Sequence, residues 1–218
     1  MPHNSRHPMQ HPEQRVGIFI DVQNMYYSAR NLFDAKVNFA KIVERALADR
    51  KLVRAIAYVV RTKTREEQPF IDALQKVGIE TKEKEILEYA GGAKKADWDV
   101  GIAVDAIRMH EILDVIVIVS GDGDFVPLLE YLKGHGRQAE VIAFRETTST
   151  MLVDAADVYT NMSEAPETFL ISGNRTPRRP LKTESNEELN NDFANSDDDE
   201  KAPAPQPSAS HKTEKWAL

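Results

Sequence analysis

The sequence predicts an α/β fold built on a mainly parallel sheet. Short apolar runs alternate along the chain with segments of helical periodicity, and the connections between them are short. Two of these runs, at 16–20 and 115–119, end abruptly in acidic residues. The second run, VIVIV, has no polar alternation, which is typical of a strand buried on both faces. We therefore expect helices to cover both faces of the sheet.

The elements follow from these patterns in chain order. Strands are predicted at 16–20, 53–60, 79–82, 115–119 and 139–144, with a short hairpin through 85–89 and a closing segment at 158–162. Apolar residues recur every three or four positions in helices that begin near residues 26, 39, 70, 97, 125 and 150, and the first of these is irregular. Asn38 and Asp124 occupy N-cap positions, and Pro127 falls in a first turn, where a missing N–H costs little.

Composition limits the class of protein. The chain has 218 residues, of which 41% are hydrophobic and 29% charged, so we expect one compact domain with tails. It contains no cysteine, which excludes disulfides and thiolate metal sites and leaves oxygen or imidazole ligands. No apolar run approaches the roughly 20 residues that span a bilayer. These features predict a cytoplasmic protein that does not enter a membrane.

The tails differ from the body in composition. Residues 1–14 show no periodicity, and residues 164–218 combine charged blocks with three closely spaced prolines, so both segments are predicted to be disordered. The net charge of −7 lies mostly in the tail, which leaves the body nearly neutral. Overall charge therefore gives no argument for nucleic-acid binding. The tail is the expected place for a protein partner, and the oligomeric state is not predicted.

Carboxylates follow two of the predicted strands. Asp21 ends the first strand, and Asp122 and Asp124 lie in the turn after the central strand, beside Ser120. In open parallel sheets, a ligand binds outside the carboxyl ends of the strands where the strand order reverses. Carboxylates gathered there would repel one another unless a cation neutralised them. Oxygen ligands favour Mg²⁺ or Mn²⁺ and predict hydrolysis at phosphorus.

A further carboxylate stands at the head of the helix that begins near residue 97. The helical angle of Asp99 lies near that of Ile102 and Ala106, which form the stripe that faces the sheet. An unpaired buried charge is costly, so this position favours a metal ligand. Asp97 remains an alternative, and either residue could serve only as an N-cap in the first turn.

Basic residues are predicted on the rim of the same site. They follow the second and fifth strands or lie in the glycine-rich loop before the acidic helix: Arg61, Lys63, Arg65, Lys94, Lys95 and Arg145. Cationic side chains in such places can bind the phosphates of a nucleic acid. The dinucleotide motif G-x-G-x-x-G and the P-loop motif are both absent, which argues against nucleotide-cofactor folds.

Three motifs together resemble the NYN domain family, in its LabA-like branch. They are FIDVQN at 19–24, DWDVGIAVD at 97–105 and VSGDGDFVPLL at 119–129, and the similarity spans 15–163. The resemblance implies a PIN-like, three-layer α/β/α fold and a metal-dependent nuclease site. It assigns metal binding to Asp21, Asp99, Asp122 and Asp124, with Asn24 as a further catalytic residue and Asp97 and Ser120 in support. Many relatives carry a lysine three residues before the helix aspartate, a spacing that Lys94 has to Asp97.

The functional hypothesis is a ribonuclease that uses Mg²⁺ or Mn²⁺ to hydrolyse RNA at the carboxylate cluster. The alternative is an RNA-binding or regulatory adaptor that keeps the fold without catalysis and acts through its tail. A weaker alternative is hydrolysis of a small phosphorylated metabolite or nucleotide.

Overall fold

The computed structural model describes residues 10–61, 67–85, 87–88, 94–95 and 97–171, without the side chains of 87–88 and 94–95. The chain divides into one unit at 1–183 and another at 184–218, and every described residue belongs to the first. The predictions for Lys63 and Arg65, for most of the N-terminal segment and for the tail beyond 171 lie outside the described residues.

The described elements alternate between strands and helices. The first half contains β1 (Arg15–Asp21), α1 (Val22–Phe33), β2 (Lys36–Val37), α2 (Phe39–Leu47), β3 (Lys51–Arg61), α3 (Gln68–Lys76), β4 (Glu80–Glu85), β5 (Leu87–Glu88) and β6 (Lys94–Lys95). The second half contains α4 (Asp99–Met109), β7 (Val115–Val119), α5 (Val126–Gly134), β8 (Gln138–Ala143), α6 (Thr150–Ala155), β9 (Val158–Asn161), α7 (Pro166–Phe169) and β10 (Leu170–Ile171).

Six strands form one parallel sheet in the order β4-β3-β1-β7-β8-β9. The chain moves outward from β1 to β4, then crosses back to β7 and moves outward on the other side. Because crossovers between parallel strands are right-handed, this order puts α1 to α3 on one face and α4 to α6 on the other. The predicted α/β architecture is therefore confirmed, and the strand order reverses between β1 and β7.

The core lies on both faces of the two central strands. Every residue of β7 is buried, as is each residue of β1 after Arg15. Ile102 and Ala106 of α4 and Leu129 of α5 are among the fully buried side chains that cover this part of the sheet. Such burial explains the continuous apolar run at 115–119, because neither face of β7 meets water.

Several predicted boundaries differ from the structure. The segment after Asp21 is a regular helix of 12 residues, not an irregular one. Asp34 ends it in a left-handed conformation, in which its backbone N–H donates to carbonyls of the last turn. The third strand begins and ends later than predicted, at Glu80–Glu85. The hairpin differs from the one predicted through 85–89, because β5 pairs antiparallel with β6 further along the chain. Lys94 and Lys95 therefore lie in a strand, not in the predicted loop.

The C-terminal boundary also differs. The predicted disordered tail begins at residue 164, but α7 and β10, which span 166–171, are part of the folded body. Phe169 and Leu170 are buried, and β10 pairs antiparallel with β2. The carbonyl of Phe169 accepts the N–H of Asn38 at 2.8 Å. Burial of these apolar side chains against the start of α2 fixes the segment.

None of the helices in the described ranges has the length and hydrophobicity needed to cross a membrane.

Candidate metal centre

Asp21 joins the end of β1 to the start of α1. It is the N-cap of α1, and its Oδ1 accepts the N–H of Asn24 at 3.0 Å. Its Oδ2 accepts the hydroxyl of Ser120 at 3.3 Å. Burial raises the pKa of Asp21 to about 6, although the hydrogen bonds from Asn24 and Ser120 oppose the shift. Asp21 thus brings a costly negative charge to the point where the strand order reverses.

The acidic turn after β7 is a 3-10 turn at Gly123–Phe125, followed by α5. Asp122 caps this turn, because its Oδ1 accepts the N–H of Asp124 at 2.9 Å. The hydroxyl oxygen of Ser120 accepts the N–H of Asp122 at 3.2 Å. The prediction that Asp124 is the N-cap is therefore wrong by two residues. The 3-10 turn at Gly123–Phe125 precedes α5, so the capping aspartate is Asp122, nearer to β7, and Asp124 is exposed.

Gly121 holds this turn against two other segments. Its N–H is donated to the side-chain oxygen of Asn24 at 3.0 Å, and its carbonyl accepts the N–H of Ser149 at 3.0 Å. A Cβ added at Gly121 would lie 2.6 Å from the carbonyl oxygen of Thr147. The turn therefore fits only with glycine at this position. Sequence reasoning did not assign residues 147–149 to the site, and the glycine beside the carboxylates was the one available signal.

The acidic helix α4 begins at Asp99, with Trp98 at the N-cap position and without a side-chain cap. The indole N–H of Trp98 donates to the carbonyl of Val59 at 3.1 Å, and its ring packs against Tyr58 at a centroid distance of 5.3 Å. Neither Asp97 nor Asp99 serves as the N-cap. The anchored indole fixes the entry to α4 and places Asp99 in the first turn.

Three carboxylates meet at this edge of the sheet. One oxygen from each of Asp99, Asp122 and Asp124 lies within 4.8 Å of the other two. Partial burial, followed by the charges of Asp21 and Asp122, raises the pKa of Asp99 to about 6. Clustered hard oxygen donors whose charges repel one another fit a divalent cation such as Mg²⁺ or Mn²⁺. Asp21 lies outside this set of three but acts on Asp99 more strongly than any other charge.

Two nearby aspartates have different surroundings. The backbone carbonyl of Asp97 accepts a hydrogen bond from Lys84 at 3.0 Å, and the charge of Asp97 also raises the pKa of Asp99. Asp105 accepts the hydroxyl of Tyr58 at 2.7 Å and forms an ion pair with Lys82. Asp105 therefore supports the packing of α4 on the sheet and does not face the other carboxylates.

The basic rim is only partly described. Arg61 forms an ion pair with Glu83 and donates to Gln68 at 3.1 Å. Arg145 is exposed and donates to the carbonyl of Thr148 at 3.3 Å. The predicted RNA-binding set thus includes one arginine that already has an acidic partner. The side chains of Lys94 and Lys95 lie outside the described residues, as do Lys63 and Arg65.

Comparisons with known proteins agree with this fold. The model of the NYN domain matches residues 15–163. The low amplitude and bright protein LabA of Synechococcus elongatus is 27% identical over 159 residues, which cover 69% of this chain and 84% of that protein. The crystal structure of VPA0982, a protein of unknown function from Vibrio parahaemolyticus, superposes with a TM-score of 0.67 at 31% sequence identity. The match covers 75% of this chain and 100% of the VPA0982 chain. The resemblance seen in the three motifs is confirmed, and the chain belongs to the NYN domain family.

Proposed function

We propose that this protein is a divalent-metal-dependent ribonuclease. The observation that supports the proposal most strongly is the convergence of Asp99, Asp122 and Asp124, with one oxygen of each within 4.8 Å of the others. The cluster lies where the order of the parallel strands reverses, which is the usual ligand position in such sheets. Membership of the NYN domain family, with its PIN-like nuclease resemblance, favours RNA as the substrate.

The side chains have distinct roles in this proposal. Asp99, Asp122 and Asp124 would hold Mg²⁺ or Mn²⁺. Asp21 would complete the ligand set from the end of β1, beside Ser120. The bound ion supplies Lewis-acid chemistry for phosphodiester hydrolysis. Ser120 and Asn24 position the acidic turn by hydrogen bonds to Asp122 and Gly121.

Carboxylates alone would repel an RNA backbone, so cations must hold it. We propose that the exposed Arg145, Arg61 at the end of β3 and the basic residues at 63–65 and 94–95 bind the phosphates of the RNA. Arg61 would first have to leave Glu83, its present partner. The set is Arg61, Lys63, Arg65, Lys94, Lys95 and Arg145.

The test is cleavage of end-labelled single-stranded and structured RNAs by the purified full chain with Mg²⁺, Mn²⁺ or EDTA. Asp122→Asn removes the charge but keeps an oxygen that can accept the N–H of Asp124. We expect cleavage to need the metal and to fall at least about 100-fold in this variant. Glu130→Gln is the control, because it neutralises an exposed carboxylate on α5. Equal rates for Asp122→Asn and the parent would refute the assignment.

The adaptor hypothesis makes a different prediction for the same experiment. An adaptor binds RNA without cutting it under any metal condition, and its affinity does not depend on Asp122. Fluorescence anisotropy with a labelled RNA would separate the two hypotheses. Binding by the folded parent without cleavage in Mg²⁺ or Mn²⁺ would favour the adaptor over the nuclease.

A further inference from the structure

Two histidines lie close together at the edge of the sheet opposite the carboxylate cluster. His110 is the C-cap of α4 and stands shortly before β7, while His135 is the C-cap of α5 and stands shortly before β8. Because β7 and β8 are parallel neighbours, the two helix ends meet beside the starts of these strands. The centroids of the two imidazole rings are 5.1 Å apart, and the ring planes are inclined at 76°.

Both rings have the same hydrogen-bonding state. Nδ1 of His110 lies 2.5 Å from the carbonyl oxygen of Ile107, and Nδ1 of His135 lies 2.7 Å from that of Tyr131. A carbonyl oxygen only accepts, so each Nδ1 carries a proton and each neutral ring presents an unprotonated Nε2. Among the described residues neither Nε2 has a hydrogen-bond partner. A carbonyl that binds one ring nitrogen is the usual support for a histidine whose other nitrogen ligates a metal.

The spacing of the rings is compatible with one shared ion. Two Zn–N bonds of about 2 Å at a tetrahedral angle would separate the centroids of two imidazole ligands by about 5 Å. The observed separation of 5.1 Å matches this requirement. Tyr131 packs against both rings, at centroid distances of 4.1 Å from His135 and 5.7 Å from His110. The rings are therefore held in place before an ion binds, which reduces the entropy lost on binding.

The surroundings of the pair favour a cation. Two helix C-termini meet here, and each carries the negative end of a helix dipole. Glu111 is exposed next to His110 and has no ion-pair partner in the part of the chain that the structure describes. Every basic residue within two positions of either histidine already interacts with an aspartate: Lys133 with Asp157, Arg137 with Asp114 and Arg108 with Asp105.

We propose that His110 and His135 bind a divalent transition-metal ion of the Zn²⁺ type through their two Nε2 atoms. Imidazole nitrogen suits Zn²⁺, Ni²⁺ and Cu²⁺, whereas Mg²⁺ prefers oxygen ligands. No third histidine or carboxylate meets this pair within the described residues, so water completes the coordination and the affinity is moderate. The protein thus has two cation sites of different chemistry at opposite edges of one sheet.

The ion connects the ends of the two helices whose beginnings adjoin the carboxylate cluster. Helix α4 begins at Asp99, and α5 follows the turn that contains Asp122 and Asp124. An ion held between their far ends links the helices only in the folded state, so its binding stabilises the fold. This site is independent of the proposed ribonuclease function, because the carboxylates lie beyond the other end of β7.

Residue-resolved carbethoxylation tests the site in the unaltered protein. Diethyl pyrocarbonate reacts with an unprotonated ring nitrogen, here Nε2, and mass spectrometry measures the modification of each histidine. The full chain is kept in excess Mg²⁺, which supplies the carboxylates with a hard ion, and is treated with and without Zn²⁺. Saturating Zn²⁺ should reduce the modification of His110 and His135 at least about fivefold. His211 in the C-terminal tail should not change, and equal modification of the pair in both conditions would overturn the proposal.

Single substitutions test whether the two histidines share one ion. His110→Gln and His135→Gln each remove one ligand from a side chain that reaches solvent. Calorimetric titration should show the same Zn²⁺-binding event weakened at least about tenfold in either variant, since even loss of a group that supports a metal ligand has such an effect. His11→Gln is the control, because His11 is an exposed histidine of the N-terminal segment. Full binding in one of the two variants would show that the histidines do not share an ion.

Thermal unfolding tests the connection between the two helices. Zn²⁺ should raise the unfolding temperature of the parent, because the ion binds the folded state, but not that of His135→Gln. Asp122→Asn changes the carboxylate cluster and should keep the full shift. A shift that persists in His135→Gln and disappears in Asp122→Asn would place the ion among the carboxylates and refute the histidine site.

Discussion

The side-chain oxygen of Asn24 accepts the backbone N–H of Gly121 at 3.0 Å. This hydrogen bond joins the start of α1 to the end of β7, which are 97 residues apart in sequence. Beside it, the hydroxyl of Ser120 donates to Asp21 at 3.3 Å. Two cross-connections therefore hold the acidic turn in place where the two central strands end. This geometry leads to three predictions.

Replacing Asn24 with alanine should loosen the acidic turn. The N–H of the buried Gly121 would lose its acceptor, which costs about 1–3 kcal/mol in the free energy of unfolding. Mg²⁺ affinity should fall about tenfold, as for the loss of a residue that orients metal ligands. Urea unfolding and titration calorimetry measure the two effects. Asn31→Ala, at an exposed position of α1, should change neither quantity. Loss of stability without loss of affinity would show that Asn24 does not position the metal site.

Gly121→Ala should destabilise the protein although alanine is a small residue. The new Cβ would lie 2.6 Å from the carbonyl oxygen of Thr147, and relief of that contact requires backbone movement. We expect a loss of about 1–3 kcal/mol in the free energy of unfolding, measured in urea. Gly134→Ala is the matched control, since an added Cβ there meets no atom within 4 Å. Equal stability of the two variants would contradict the packing argument.

The metal-free protein should lose stability as the pH rises from 4 to 7. Burial raises the pKa of Asp21 to about 6, and burial with neighbouring charges does the same for Asp99. The folded protein therefore binds more protons than the unfolded chain in this range, so proton release on raising the pH weakens the fold. Ionisation of Asp21 alone should lower the free energy of unfolding by about 2 kcal/mol between pH 4 and 7. The contribution of Asp99 is smaller, because this partly exposed group is screened by solvent.

Urea unfolding in EDTA at several pH values measures this dependence. Asp21→Asn cannot ionise at this position and should flatten the curve between pH 4 and 7. Asp114 has the opposite effect on stability, because a hydrogen bond from Arg15 lowers its pKa to about 2. Its stabilising contribution is lost only as the pH falls below 4, outside the range measured. An unchanged slope in Asp21→Asn would show that its carboxyl ionises normally in the fold.

The central part of the fold and the carboxylates could be predicted because their signals are local. Each apolar run specifies a strand, and the carboxylate that follows it lies at the end of that strand. The helical angle of Asp99, which is also a local property, favours it as the helix ligand together with the DWDVGIAVD motif. The N-cap prediction failed at Asp124 because a single 3-10 turn leaves no periodic signal.

Features that depend on distant partners could not be predicted. Arg50 and Glu140 are 90 residues apart and form an ion pair with side chains only 1% and 6% exposed. Nothing near either residue indicates a buried partner, because charged side chains are normally exposed. The short β10 likewise depends on its pairing with β2, so Leu170 lacks a recognisable local strand pattern. Long-range pairing, rather than local propensity, determines these elements.

Asp21 and Asp122 each cap a turn or helix as well as contributing charge to the site. Asparagine is also a favoured N-cap, so it can preserve the local backbone while removing the negative charge. A relative with asparagine at both positions would keep the fold and the DWDVGIAVD motif, yet bind a cation weakly. Within this family, the choice between aspartate and asparagine at these two caps should therefore separate metal-binding members from members that have lost the ion.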